Sequence, residues 1–264
     1  MKTHQPRKRF GQNFLHDPQV IQRIVSAIAP QPGDHMVEIG PGQGALTLPL
    51  LECAGNMDAI ELDRDLIAPL RTNATLVGEL RIHQSDALRF DFDQLFPGEA
   101  IRVVGNLPYN ISTPLLFHLL ASVNHIQDMH FMLQKEVVNR ITASPGSKAY
   151  GRLSVMIQYR CRVASLFIVG SGAFTPPPKV DSAIVRLIPH QTPPIQVDDE
   201  TIFAQLVTQS FSQRRKTLRN TLKGLLSADE ISAAGVDPTQ RAETLDLTAF
   251  AALANMVSGQ STAD

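Results

Sequence analysis

An amide, a proline and an aromatic ring stand within four residues at 106–109, Asn-Leu-Pro-Tyr, directly after the run IRVVG. The Asn106 side chain carries an amide oxygen that accepts hydrogen bonds. Pro108 has a carbonyl but no N–H, and it cannot continue a central strand. It also pushes Leu107 toward extended geometry. Two acceptors held apart by so stiff a segment can take both hydrogens of an exocyclic amino group. The nitrogen lone pair is then drawn out of the purine ring and aimed as a nucleophile. Tyr109 can stack on the base, an interaction worth about 1–3 kcal/mol. Phe174, in AFTPPPKV, is followed by Thr175 and three prolines that stiffen its backbone, which makes it a candidate for the opposite wall. A base clamped between two rings, with its amino group pinned, is an in-line acceptor for a methyl group. The gain is one of positioning, and no strong general base is required. Taken singly, either aromatic is more often a core residue, and the prolines are more often a rigid loop.

The stretch VEIGPGQGALT (37–47) reads as strand, glycine turn and helix start. Gly40, Gly42 and Ala45 satisfy the dinucleotide pattern G-x-G-x-x-[GA], and small residues there let a ligand approach the backbone. Glu61 closes the next strand-like run, at the spacing of a carboxylate that accepts from both ribose hydroxyls. Asp86, in HQSDAL, is placed to accept from an adenine amino group or, equally, to cap a helix. On these residues alone a nicotinamide enzyme and an S-adenosylmethionine enzyme are tied, with a ligand-free tight turn as the third reading. The set weighs more than its members. Gly40, Glu61, Asp86 and Asn106 fall at the ends of successive strand candidates, and in a parallel sheet those ends line one crevice.

The elements that would carry these residues run from about 35 to 134. HMVEIG, NMDAIEL, RIHQSD, IRVVGNL and DMHFMLQ are the strand candidates, with helical patterns between several of them. That alternation predicts an α/β fold with a mostly parallel sheet and helices on both faces. RVASLFIVG and SAIVRLIP follow, close enough in sequence to be antiparallel neighbours at one sheet edge. HQTPPIQVDDE (190–200) reads as a linker. Beyond it, Ile202, Phe203, Leu206, Val207 and Phe211 recur at helical spacing, and Ser227 with Glu230 fits a capping box. The expected division is a domain over 1–194 and a small helical domain over 195–264.

The chain of 264 residues has ordinary apolar content, 43%, enough for a core without staples. It has no apolar run of about 18 residues or more, so no membrane span is expected, and the basic start MKTHQPRKRF lacks the apolar region of a secretory signal. The two cysteines, Cys53 and Cys161, form no C-x-x-C pair, which suits a reducing cytoplasm. The eight histidines form no ligand cluster, so no metal is expected. Net charge is −1, yet the basic residues are uneven: Arg7, Lys8 and Arg9 crowd the start, and Arg214, Arg215, Lys216, Arg219 and Lys223 crowd a later stretch read as helical. Either group is by itself an ordinary solvated face. Together they could bind a polyanion locally.

The blocks EIGPGQGALT, ELD, SDAL, NLPYNIS and FTPPPKVDSAIVRL, with FGQNFL near the start and FSQRRKTLRN and RAETL near the end, resemble the KsgA family of rRNA adenine N6-dimethyltransferases. The resemblance runs in order through nearly the whole chain. It implies a Rossmann-like class I methyltransferase sheet with a small all-helical C-terminal domain, and S-adenosylmethionine as methyl donor. It implies dimethylation of two adjacent adenosines near the 3′ end of small-subunit rRNA, within a pre-30S or 30S-like particle. By motif match, Asn13 and Leu15 would close over the donor. Gly40 with Gly42, Glu61 and Asp86 would hold its methionine, ribose and adenine regions. Asn106 would serve the acceptor amine and border the donor, beside Pro108, and Tyr109 and Phe174 would stack on the target base. The basic residues would then grip rRNA, and a monomer is the expected state. The competing expectations are a NAD-dependent oxidoreductase on the same glycine loop and a non-catalytic ribosome-assembly factor.

Overall fold

The computed structural model describes residues 12–122 and 125–261. Its strands are β1 (Phe14–Leu15), β2 (Met36–Ile39), β3 (Asn56–Glu61), β4 (Glu79–Gln84), β5 (Ile101–Asn106), β6 (Ile126–Gln134), β7 (Cys161–Val169), β8 (Phe174–Thr175) and β9 (Ser182–Pro189). Its helices are α1 (Pro18–Ile28), α2 (Thr47–Ala54), α3 (Arg64–Ala74), α4 (Ser112–Ala121), α5 (Lys135–Ile141), α6 (Arg152–Arg160), α7 (Glu200–Ser210), α8 (Leu218–Thr221), α9 (Ala228–Ala233) and α10 (Leu247–Ser261). Every strand candidate read from the sequence forms a strand. The two-residue strands β1 and β8 were beyond that reading, because two residues carry no period.

The chain packs as two compact units. The first ends at Val138 and resumes over Arg162–Pro189. It holds a seven-stranded sheet in the order β4-β3-β2-β5-β6-β9-β7, with β1 and β8 as a separate antiparallel pair. β2 lies parallel to both β3 and β5, and β6 continues that direction beside β5. β9 runs antiparallel to β6, with Gln134 opposite Ser182, and sits between β6 and the outer strand β7. β2 is buried over its whole length, as expected of a strand covered on both faces. Some helices begin at side-chain caps supplied by the sequence. Asp17 accepts from the N–H groups of Gln19 (2.9 Å) and Val20 (3.2 Å) at the start of α1, with a proline in its first turn. At the sheet end remote from the glycine turn, buried Arg102 pairs with Asp34 (2.6 Å) and Asp128 (2.9 Å).

The second unit comprises Asn139–Cys161 and the chain from His190 onward. Its core is built on Phe203, Leu206, Leu218, Leu222 and Phe250. The expected capping box is present, with Ser227 accepting from the Glu230 N–H and Glu230 from the Ser227 N–H. One boundary needs correction. The division expected at 194/195 falls near the second junction, but 139–161 groups with the helical unit. Tyr150, Val155 and Tyr159 are buried in the helical core, and the Tyr159 hydroxyl donates to Glu200 (2.9 Å) on α7. A helical segment interrupting an α/β pattern looks like another crossover helix, and only its buried partners reveal otherwise.

Candidate active site

A pocket of about 350 Å³ opens at the ends of β2, β3 and β5 and beside the turn after β4. Gly40, Gly42, Glu61, Asp86, Asn106, Pro108, Tyr109, Asn13 and Leu15 all line it. Nine of the ten pocket residues read from the sequence are therefore brought to one place, across nearly a hundred residues of chain.

The floor is the glycine turn. Gly42 has φ +58°, and a Cβ there would lie 3.2 Å from the Phe14 ring. Its N–H donates to Glu61 Oε2 (3.2 Å), while Glu61 Oε1 accepts from the Asp63 N–H (2.7 Å). Glu61 is 6% exposed, and burial pushes its carboxyl above the usual range while these two N–H groups pull it back. Below it lies Glu38, which the sequence reading passed over. Burial pushes its carboxyl up to about 7, against the hydrogen bond from Thr47 Oγ1 (2.6 Å), with the nearby Glu61 charge adding to the rise. An acid inside the otherwise apolar run of a central strand is the signal that could have found it.

The walls follow from the other strand ends. Asp86 Oδ1 accepts from the Leu88 N–H (3.0 Å) in a turn, not at the start of a helix, and this engages one carboxylate oxygen. The segment 12–15 lies against the pocket. Gln12 Nε2 donates to Asp63 (3.1 Å), β1 pairs with β8, and the Asn13 carbonyl accepts from Asn106 Nδ2 (3.1 Å). That last bond engages the donor half of the Asn106 amide and leaves Oδ1 as the half without a hydrogen-bond partner among the described residues. The Pro108 carbonyl accepts from the Ile111 N–H (3.2 Å), so one of its two lone pairs is used. Tyr109 is half-buried, its hydroxyl 2.9 Å from Ser182 Oγ, and burial raises its phenol.

Two expectations change, and a third falls outside the described residues. Phe174 does not line the pocket. It is 2% exposed, pairs with Leu15 across β1 and β8, and packs in the core behind the segment 12–15. Its ring is buried in the same core cluster as Ile24, Val25 and Ile184, so the core reading of this aromatic holds. Secondly, Arg214, Arg215 and Lys216 are exposed but lie in the turn between α7 and α8, not on a helix. Arg219 lies within the four residues of α8 and Lys223 just beyond it. Arg214 is already engaged, by Glu243 (3.1 Å) and by the Lys148 carbonyl. Thirdly, Arg7, Lys8 and Arg9 lie outside the described residues. Among the described residues no group of acids, histidines or cysteines could hold a metal ion, and no helix is long and apolar enough to cross a membrane.

Comparison with known proteins bears on this geometry. The profile of the family described as Ribosomal RNA adenine dimethylase matches residues 3–258. A protein of Hydrogenovibrio crunogenus named Ribosomal RNA small subunit methyltransferase A is 58% identical, over 97% of this chain and 98% of its own. One of the same name from Pseudomonas aeruginosa is 60% identical, over 96% of this chain and 95% of its own. Among solved structures, a dimethyladenosine transferase from Plasmodium falciparum superposes with a TM-score of 0.80 at 26% identity, covering 91% of this chain and 95% of that one. The 23S rRNA methyltransferase ErmE superposes with a TM-score of 0.74 at 25% identity, covering 93% of this chain and all of that one.

Proposed function

The chain belongs to the ribosomal RNA adenine dimethylase family, and from that premise we propose how its pocket carries out the reaction. It is an rRNA adenine N6-dimethyltransferase on a class I methyltransferase sheet. The donor proposed is S-adenosylmethionine, which when bound supplies an electrophilic methyl group. The residues suit it. Glu61 offers a buried carboxylate to the ribose hydroxyls, and Asp86 keeps one carboxylate oxygen for the adenine amino group. Gly40 and Gly42 leave the floor free of side chains, and Asn13 and Leu15 bound the pocket from the segment 12–15.

Asn106 carries the argument. With its Nδ2 engaged by Asn13, its Oδ1 and the remaining lone pair of the Pro108 carbonyl can receive the two amino hydrogens of adenine. The lone pair of that nitrogen is thereby turned toward the donor side, and Tyr109 supplies a stacking face. Catalysis by these residues is a matter of orientation. The substrate proposed is a pair of adjacent adenosines near the 3′ end of small-subunit rRNA, presented in a maturing 30S-like particle in the cytoplasm, with the enzyme acting as a monomer. Single bases in loops can be splayed into such a pocket. The exposed Arg215, Lys216, Arg219 and Lys223 would hold phosphates. No observation favours the nicotinamide reading.

The test is transfer of tritiated methyl from S-adenosylmethionine onto small subunits lacking the modification, followed by nucleoside digestion. N6,N6-dimethyladenosine in the digest is the expected product. Donor binding without transfer to small subunits would overturn the substrate assignment.

A further inference from the structure

The loop that carries Tyr109 is held by its backbone. The Leu107 N–H donates to the Met132 carbonyl (3.2 Å), the Ile111 N–H to the Pro108 carbonyl (3.2 Å), and Ser112 Oγ to the Tyr109 carbonyl (3.2 Å). None of these bonds constrains the ring, whose two side-chain torsions remain. The ring is held at its far end, where the hydroxyl lies 2.9 Å from Ser182 Oγ, 73 residues on in the sequence. Among the described residues neither hydroxyl has another side-chain partner. Ser182 is itself set in the sheet. It is 0% exposed, opens β9, and stands opposite Gln134 in the antiparallel ladder, with the Lys135 N–H bonded to the neighbouring Asp181 carbonyl (3.0 Å).

We propose that Ser182 is a positioning residue for the methyl transfer: its buried hydroxyl anchors the Tyr109 hydroxyl to the sheet and so fixes the plane on which the acceptor base stacks. The inference rests on the functional reading above. A rigid strand is a better anchor than a loop, because a ring that swings loses the alignment on which rate depends. A buried serine hydroxyl facing a tyrosine at the mouth of a pocket would otherwise be a needless polar group in a ladder that an alanine would fill.

The experiment compares Ser182→Ala, Tyr109→Phe and the double variant with the wild type, reading kcat, KM for the small subunit and donor Kd separately. Each single variant should lower kcat about tenfold, with KM and donor Kd within about twofold. The double variant should be no slower than either, since both remove one bond. With tyrosine labelled at Cζ, the Tyr109 resonance should shift in Ser182→Ala, while those of Tyr150 and Tyr159 stay. A kcat for Ser182→Ala within about twofold of wild type, or single losses that multiply to about a hundredfold, would overturn the proposal. If Ser182→Ala does not fold, Tyr109→Phe decides, because it removes the same bond and leaves the strand untouched. Wild-type protein that forms no dimethyladenosine defeats the functional reading instead, and that outcome is read without any variant.

Discussion

Two polar side chains in the pocket make separable demands. In the proposed mechanism Asn106 orients the acceptor amine, and its worth lies in one oxygen. Asn106→Ala should lower methyl transfer by about a hundredfold or more, while the lost bond to Asn13 costs about 1 kcal/mol of stability. Single-turnover assays beside thermal melts would check it, and transfer within a few-fold of wild type would remove Asn106 from the mechanism. Glu38 works through its proton. Burial raises its carboxyl from an ordinary 4.5 to about 7. Below the lower value the group is neutral in both folded and unfolded chains, and its folded-state preference for the proton is fully present. Between the two values the unfolded chain releases the proton first, so stability falls as pH rises, by up to about 3 kcal/mol. Glu38→Gln keeps an acceptor for Thr47 but lacks this slope. Its melting temperature relative to wild type should therefore be higher at about pH 8 than at about pH 5. An equal difference at the two pH values would count against a raised Glu38. Its position in an apolar strand was visible in the sequence, but the cause of its shift, burial beside Glu61, was not.

At the scale of elements, the glycine turn and the segment 12–15 fit each other. Gly42 adopts a left-handed φ and passes 3.2 Å, measured from the missing Cβ, from the Phe14 ring. Gly42→Ala pays for both. It should destabilise the protein by about 1–2 kcal/mol and displace Phe14, with weaker donor binding as the second consequence. Urea unfolding and calorimetric titration would measure the two effects, and a variant unchanged in both would mean the turn is more yielding than its geometry. The glycine turn was legible because strand, glycine and helix signals are local. The pairing of β1 with β8 was not. It joins Leu15 to Phe174 across most of the first unit, and there Phe174 is buried in the core while Tyr109 alone of the two rings lines the pocket.

For the whole molecule, charge and chain order make different predictions. Reversing Arg215, Lys216, Arg219 and Lys223, all exposed, should weaken binding to small subunits and leave donor affinity unchanged. The dependence of log affinity on log salt should flatten by about 0.7–0.9 for each phosphate contact removed. Filter binding across a salt series would show it, and an unaltered slope would exclude these residues from the RNA contact. Arg214 is left out because Glu243 and the Lys148 carbonyl already hold it. The sequence by itself determined the order of strands and turns and the convergence of Gly40, Glu61, Asp86 and Asn106. Strand periods and the stops that end them are short-range, and a parallel sheet gathers successive strand ends at one edge. Tertiary structure alone decided that 139–161 packs with the helices, that Phe174 turns inward, and that Ser182 meets Tyr109. Each of these depends on contacts between residues far apart in the chain, and no local pattern of residue types encodes which distant surface a buried ring or hydroxyl will find.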